Sequence, residues 1–234
     1  MRSAVILAGG SGRRMGSDTP KQFLLLAKKP LIWYAVRAFS DSLVDEIVLV
    51  TREEDREFCR KEICEKYRFG KVKAVVPGGS ERFYSVENGL KAVNPACETV
   101  VIHDGARPLV TPDMISRVIA DAERYGAATA AMPVKDTIKI VDHEGFGRET
   151  PDRRTLYQIQ TPQAFSLPVL MQAFRKRQET GETDITDDTM MVERYMGVSA
   201  KMTEGSYRNI KVTTPEDLLA AELFLSMKPQ SDEV

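Results

Sequence analysis

The sequence predicts an α/β fold: a mostly parallel sheet flanked by helices, with one thin β-arm projecting from it. Three observations carry this. Short apolar runs alternate with segments of helical period, as in sheets whose parallel strands are joined by covering helices. Glycine-rich or acidic turns follow directly on several of those runs, the place where open parallel sheets bind ligands. One stretch, 134–154, breaks the pattern with polar–apolar alternation around a turn. With 234 residues, the chain is long enough to bury a substantial core. No linker or repeat divides it, so 1–234 reads as a single domain with an arm at about 134–154.

Ala4–Ala8 reads as the first buried strand and runs into a glycine-rich turn. Leu31–Phe39 has the pattern of a buried helix, Glu46–Thr51 of a second strand, and Glu53–Lys66 of a charged, exposed helix. Val72–Val76 is a third strand, after which Pro77-Gly78-Gly79-Ser80 opens a helix from Glu81. On that helix Phe83, Val86, Leu90 and Val93 fall at helical spacing and face the core. Arg82 and Ser85 share another face close to the helix start, where N–H groups and the dipole favour an anion. Thr99–His103 is a strand ending in Asp104-Gly105-Ala106-Arg107-Pro108. Thr111-Pro112-Asp113 supplies an N-cap, a proline at the first helical position and an acidic first turn, and Thr214-Pro215-Glu216-Asp217 repeats that grammar before a last helix to about Ser226. Ala127–Met132 is a further buried strand. Asp136–Asp142 alternates polar and apolar before the turn at Glu144–Gly147, a hairpin too thin to bury a core of its own. Such an arm is expected to pack on a second subunit. The polar end, Lys228–Val234, is expected to fray.

Composition narrows the function. Lys+Arg of 33 against Asp+Glu of 34 is near-neutral and argues against the basic surface of a nucleic-acid binder. The run Ala4–Ala8 is too short for a signal-peptide core or a membrane span. Cys59, Cys64 and Cys97 form no Cys-x-x-Cys pair, and His103 and His143 are the sole histidines. Neither a disulfide framework nor a histidine-rich metal site is implied. A cytoplasmic enzyme with no membrane and no nucleic-acid partner is the expectation.

Chemistry concentrates in Ala4–Gly16, closed by Pro20-Lys21-Gln22. Gly9, Gly10 and Gly12 let backbone N–H groups approach phosphate oxygens closely, and Arg13, Arg14 and Lys21 bring positive charge against Asp18 alone. No Walker loop is present. The dinucleotide fingerprint fails too, because Met15 stands where its third glycine belongs and Gly16 comes one residue late. Beside such a loop, the Asp104 carboxylate is a candidate ligand for Mg²⁺, a hard cation that binds carboxylates together with substrate phosphates. Arg107 is either a ligand contact or the group that fixes the Asp104 turn.

These residues resemble a known family, the 2-C-methyl-D-erythritol 4-phosphate cytidylyltransferases. The likeness runs from Leu7 to Glu222. It includes the opening loop, Pro20-Lys21-Gln22, Gly78–Arg82, His103–Pro108, Pro133–Lys139, Gln160–Phe165, Ile185–Asp188 and Asn209–Thr213. The resemblance implies a Rossmann-like nucleotidyltransferase fold and a homodimer clasped by the β-arm. The implied reaction joins CTP and methylerythritol 4-phosphate, with Mg²⁺, and releases pyrophosphate. Carried over residue by residue, Arg14 and Lys21 would stabilise the transition state on the triphosphate, and Arg153 and Lys211 would position the acceptor phosphate. Ala8, Gly9, Gly10, Gly12, Gly79, Ser80, Arg82 and Ser85 would lie against the nucleotide. Asp104, Arg107, Thr137 (from the partner's arm) and Thr161 would meet the acceptor, Asp104 also holding the metal. Ser80 stands where many members carry Asp, which loosens the inference about how cytosine is preferred. A ribitol-5-phosphate cytidylyltransferase shares the first loop and the aspartate turn. Pro133–Thr137 and Thr186-Asp187-Asp188 look more like the methylerythritol family. A molybdenum-cofactor guanylyltransferase opens similarly but lacks the arm and the Asn209–Thr213 segment. The reading from another class is a CTP-binding module without turnover, against which Arg14, Lys21 and Asp104 together speak.

Overall fold

The computed structural model describes residues 1–10 and 19–227. In chain order, β1 (Arg2–Leu7) is followed by a 3₁₀ turn at Lys21–Phe23 and the short pair β2 (Leu25–Leu26) and β3 (Lys29–Pro30). Next come α1 (Leu31–Ser40), β4 (Glu46–Thr51), α2 (Arg56–Phe58), β5 (Val72–Pro77), α3 (Arg82–Leu90) and β6 (Thr99–Asp104). The remainder is α4 (Pro112–Tyr125), β7 (Ala127–Pro133), β8 (Ile140–Val141), β9 (Gly147–Glu149), β10 (Tyr157–Ser166), α5 (Leu167–Thr180), α6 (Asp188–Met196), β11 (Lys201–Glu204) and α7 (Pro215–Ser226).

Seven strands form one sheet in the order β11-β7-β10-β6-β1-β4-β5, with β10 antiparallel to both neighbours and every other pairing parallel. All six residues of β4 and of β6 are buried, as expected for strands covered on both faces. Side chains alternate between the faces. Ile6, Leu49 and Val101 pack with Phe39 of α1 and Ile115 of α4. Val5, Val50 and Ile102 pack with Val86 of α3, Phe174 of α5 and Met191 of α6.

Most expected elements are present within a residue or two, and 46–51 has the expected bounds. Phe83, Val86, Leu90 and Val93 are buried. Thr111 caps α4 by accepting from the Met114 N–H, and Thr214 and Asp217 close a capping box on α7. The expected single helix over 53–66 is instead a 3₁₀ turn, the one turn of α2 and a π-helical stretch at Cys59–Glu65. Its buried side is held by Cys59 and Ile63, while Arg60, Lys61 and Lys66 pair with Glu57 and Glu62 outside. Six elements lie beyond the sequence expectations: β2, β3, β10, α5, α6 and β11. The Tyr157–Ser166 sequence carries Pro162 and three glutamines, which oppose a strand reading by local rules. Its pairing on both sides, with a register shift between Ile159 and Gln163, overrides them. The arm is a two-stranded hairpin, β8 antiparallel to β9, standing away from the sheet with Ile140, Val141 and Phe146 exposed. The expectation for Lys228–Val234 lies outside the described residues.

Candidate active site

Strands β1 and β6 end level, with Leu7 opposite Asp104, so residues 8–10 leaving β1 and the aspartate turn open into one crevice. Ala8 still donates to the Val50 carbonyl, at 2.6 Å, and Gly78 donates to the Thr51 carbonyl, at 2.7 Å. These bonds bring the chain leaving β1 and the turn leaving β5 toward the same end of β4. Ser85 Oγ accepts from the Gly79 N–H at 3.0 Å and folds that turn over the start of α3. A Cβ on Gly79 would collide with Tyr84, so this close approach requires glycine.

The crevice between them has a volume of about 510 Å³. It is lined by Ala8, Gly9, Gly10, Gly79, Ser80, Arg82 and Ser85, together with Lys21, Asp104 and Lys211. A second crevice of about 490 Å³ shares Arg82, Asp104 and Lys211 and adds Arg107 and Thr161. Four of the residues expected to meet the acceptor therefore line it: Asp104, Arg107, Thr161 and Lys211.

At the junction of the crevices runs a chain of alternating charge. Lys211 Nζ lies 2.7 Å from one Asp104 carboxylate oxygen, and Arg82 Nε lies 3.3 Å from the other. Arg82 Nη1 continues to Asp188, at 2.8 Å. Burial opposes ionisation of Asp104, but Arg82, then Lys211 and Arg107, outweigh it and hold its carboxyl well below the usual carboxylate range. Burial likewise works against the Arg82 charge, and Asp188 and Asp104 more than restore it. Burial pushes Asp188 up, with Arg82 opposing. Burial also drives His103 down to about 4, although Asp104 favours its charge. The imidazole is neutral at pH 7. The buried Cys59 and the half-buried Cys64 are raised by burial to about 12 and about 11, which keeps both thiols protonated and inert.

Other expected residues fall elsewhere. Gly12 and Arg14 lie outside the described residues. Thr137 and Arg153 sit on the exposed arm and line neither crevice. Arg153 donates instead to the Lys135 carbonyl at 3.1 Å. Arg107 forms no ion pair with Asp104; its Nη1 donates to the Asn209 carbonyl at 2.7 Å. Asp188, fully buried against Arg82, is missed by the sequence reading, which places no helix start there. The signal was present: Asp187 caps α6 by accepting from the Met190 N–H. Gln163 locks this corner, donating to Asp187 at 2.7 Å and accepting from the Asp188 N–H at 3.1 Å.

A parallel sheet whose strand ends deliver a glycine-rich anion crevice beside a second charged crevice defines a nucleotidyltransferase. The model of the 2-C-methyl-D-erythritol 4-phosphate cytidylyltransferase family matches residues 3–227. The 2-C-methyl-D-erythritol 4-phosphate cytidylyltransferase of Caldanaerobacter subterraneus subsp. tengcongensis is 48% identical over 224 residues, covering 95% of this chain and 98% of that protein. One from Clostridium botulinum is also 48% identical, covering 95% and 96%. The crystal structure of 4-diphosphocytidyl-2C-methyl-D-erythritol synthase from Anaerococcus prevotii superposes with a TM-score of 0.84 at 33% identity, covering 97% of this chain and 98% of that one. The chain belongs to the 2-C-methyl-D-erythritol 4-phosphate cytidylyltransferase family.

Proposed function

We propose that this protein transfers the cytidylyl group of CTP to 2-C-methyl-D-erythritol 4-phosphate, giving 4-diphosphocytidyl-2-C-methyl-D-erythritol and pyrophosphate. Family membership supports the reaction. The structural observation that carries the assignment of roles is two anion-suited crevices meeting at Asp104, Arg82 and Lys211.

An oxygen of the acceptor phosphate attacks the α-phosphorus of CTP, and the bond from that phosphorus to the pyrophosphate oxygen breaks. The acceptor phosphate is already anionic near neutral pH, so no general base is required. That agrees with a neutral, buried His103. The task is to suppress anion–anion repulsion and hold an in-line approach. Ala8–Gly10 and Gly79–Ser85 cradle the nucleotide. Lys21 and Arg14 stabilise charge developing on the triphosphate, and Lys211 draws in the acceptor phosphate beside Arg107.

Asp104 also fits a divalent cation. Among the described residues no group of three or more His, Cys, Asp or Glu side chains is arranged for a metal. A lone carboxylate facing triphosphate is nonetheless the donor set Mg²⁺ uses, taking its other ligands from phosphates and water. When bound, the ion supplies charge neutralisation on the phosphates. Asp104, kept ionised by its cationic neighbours, is the residue that would hold it, sharing its carboxylate with Lys211 and Arg82.

The site also draws on a second copy of the chain. Support comes from the arm, whose exposed Ile138, Ile140, Val141 and Phe146 need a partner surface. In a homodimer clasped by the arm, Thr137 and Arg153 reach the acceptor crevice of the other subunit. No helix among the described residues is long and apolar enough to cross a membrane, in keeping with a cytoplasmic enzyme.

Pyrophosphate release with CTP, and with the other nucleoside triphosphates, is measured against methylerythritol 4-phosphate and ribitol 5-phosphate as acceptors. Turnover with CTP and methylerythritol 4-phosphate is expected. Preference for ribitol 5-phosphate, or CTP binding with no turnover of either acceptor, refutes the assignment.

A further inference from the structure

Among the fully buried polar residues that take no part in the mechanism above are His103 and Asn209. His103 Nδ1 lies 3.0 Å from Thr161 Oγ1, and Nε2 lies 3.2 Å from the Arg107 carbonyl. A carbonyl only accepts, so Nε2 carries the proton and Nδ1 is bare. The Thr161 hydroxyl must then donate to Nδ1, and its oxygen accepts from the Asp104 N–H at 3.0 Å. With its hydrogen committed to the imidazole, that hydroxyl cannot donate to an acceptor molecule. Thr161 meets the crevice through its position, not through a donated bond.

Asn209 closes the circuit. Its Nδ2 donates to the Thr161 carbonyl at 2.9 Å, and its own carbonyl accepts from Arg107 Nη1 at 2.7 Å. His103, Thr161, Asn209 and Arg107 thus form a ring of hydrogen bonds. It ties the end of β6, the turn after it, β10 and the segment before α7. Each crevice group hangs from this ring: Asp104 follows His103 directly and is bonded through its N–H, and Lys211 lies two residues after Asn209. Backbone bonding supports the same joint, since the Val212 N–H donates to the Ala106 carbonyl at 2.8 Å.

We infer that His103 and Asn209 are positioning residues for the transfer, closing a hydrogen-bonded ring with Thr161 and Arg107 that sets where Asp104 and Lys211 stand. The inference rests on the reading of the second crevice as the acceptor site. Neither residue touches substrate. Their effect falls first on the acceptor side, because the ring members Arg107 and Thr161 line the second crevice and neither lines the first.

The test uses His103→Asn, which cannot span both Thr161 and Arg107, and Asn209→Ala, singly and combined, in the full-length protein. Each single variant is expected to lower kcat/KM for methylerythritol 4-phosphate about 10²-fold, the typical cost of a displacement near 1 Å. CTP affinity by calorimetry stays within about three-fold of the parent while the variant remains folded in a thermal melt. The double variant is expected to be little worse than the poorer single one, because a ring once opened has no more to lose. Unchanged kcat/KM, or losses that multiply and fall equally on CTP affinity, overturns the inference. Independently of any variant's folding, ¹⁵N-histidine NMR of the parent protein at pH 7 is expected to show the His103 proton on Nε2. A proton on Nδ1 overturns the ring even if turnover is normal. Failure of the parent protein to use methylerythritol 4-phosphate refutes the functional reading, and the NMR result then still decides the ring.

Discussion

Gly89 is where packing of the sheet and placement of the site meet. It lies on the buried face of α3, and an added Cβ would run into Val5 Cγ1 and stand 3.0 Å from Val50 Cγ2. Ordinary carbon contacts lie at about 3.5–4.0 Å. Both valines are fully buried, on β1 and β4, and β-branching leaves them little rotamer freedom. The helix must therefore lift. Gly89→Ala gains about 1 kcal/mol of helix propensity and loses about 1–3 kcal/mol to overpacking, a net cost of order 1 kcal/mol. For a chain of this size that lowers Tm by about 2–4 °C. The lift carries Arg82 and Ser85 with it and stretches the contacts of Arg82 with Asp104 and Asp188. A loss of about 10-fold in kcat/KM for CTP follows, short of the 10² that a full ångström costs. Thermal melting and pyrophosphate release at varied CTP read both effects. A Tm equal to or above that of the parent, with kcat/KM for CTP unchanged, refutes the reasoning.

Lys21→Ala is expected to lower kcat by roughly 10²–10³ with a smaller rise in KM for CTP, since the group acts mainly in the transition state; steady-state kinetics decide, and an unchanged kcat removes it from that role. Asp188→Ala leaves Arg82 without its closest carboxylate and is expected to destabilise the fold by about 3 kcal/mol, the low end for breaking a buried pair; urea unfolding measures it. His103 titrates near 4 in the folded chain and near 6.5 when unfolded, so between those values only the unfolded chain binds the proton and stability falls as pH falls. About 2 kcal/mol is expected to go between pH 7 and pH 4.5 through this group, and His103→Asn should flatten that part of the slope in urea titrations. Asp104 has the same sense in a lower range: its depressed value adds stability that is present above the usual carboxylate pKa and lost as pH falls below it, outside this window. Mixing Arg153→Ala with Lys21→Ala subunits should restore activity in heterodimers if the arm crosses between subunits; heterodimers that form without rescue argue for a site within one chain.

The strands at 46–51 and 127–132, the capped starts of α4 and α7, the glycine turns and the thin arm all follow from local rules. Apolar period, capping side chains and turn residues act over a few positions and are written there. Lys21, Arg82 and Asp104 were legible for the same reason, in turns and a helix start that follow apolar runs, whereas Lys211 came only from the likeness to the family. What the sequence by itself did not determine is everything that depends on partners far along the chain. β10 is polar and proline-bearing, and it is a strand because β6 and β7 offer backbone bonds on both sides. The Thr161 hydroxyl bonds His103, 58 residues away, a partner that no local rule supplies. Arg107 bonds the Asn209 carbonyl, 102 residues on, a partner that neither of its two readings named. Asp188 and Arg82 acquire their meaning only as a buried pair. Local propensity is a property of neighbours in sequence. Hydrogen-bond satisfaction and charge compensation are properties of neighbours in space, and the tertiary structure alone supplies those.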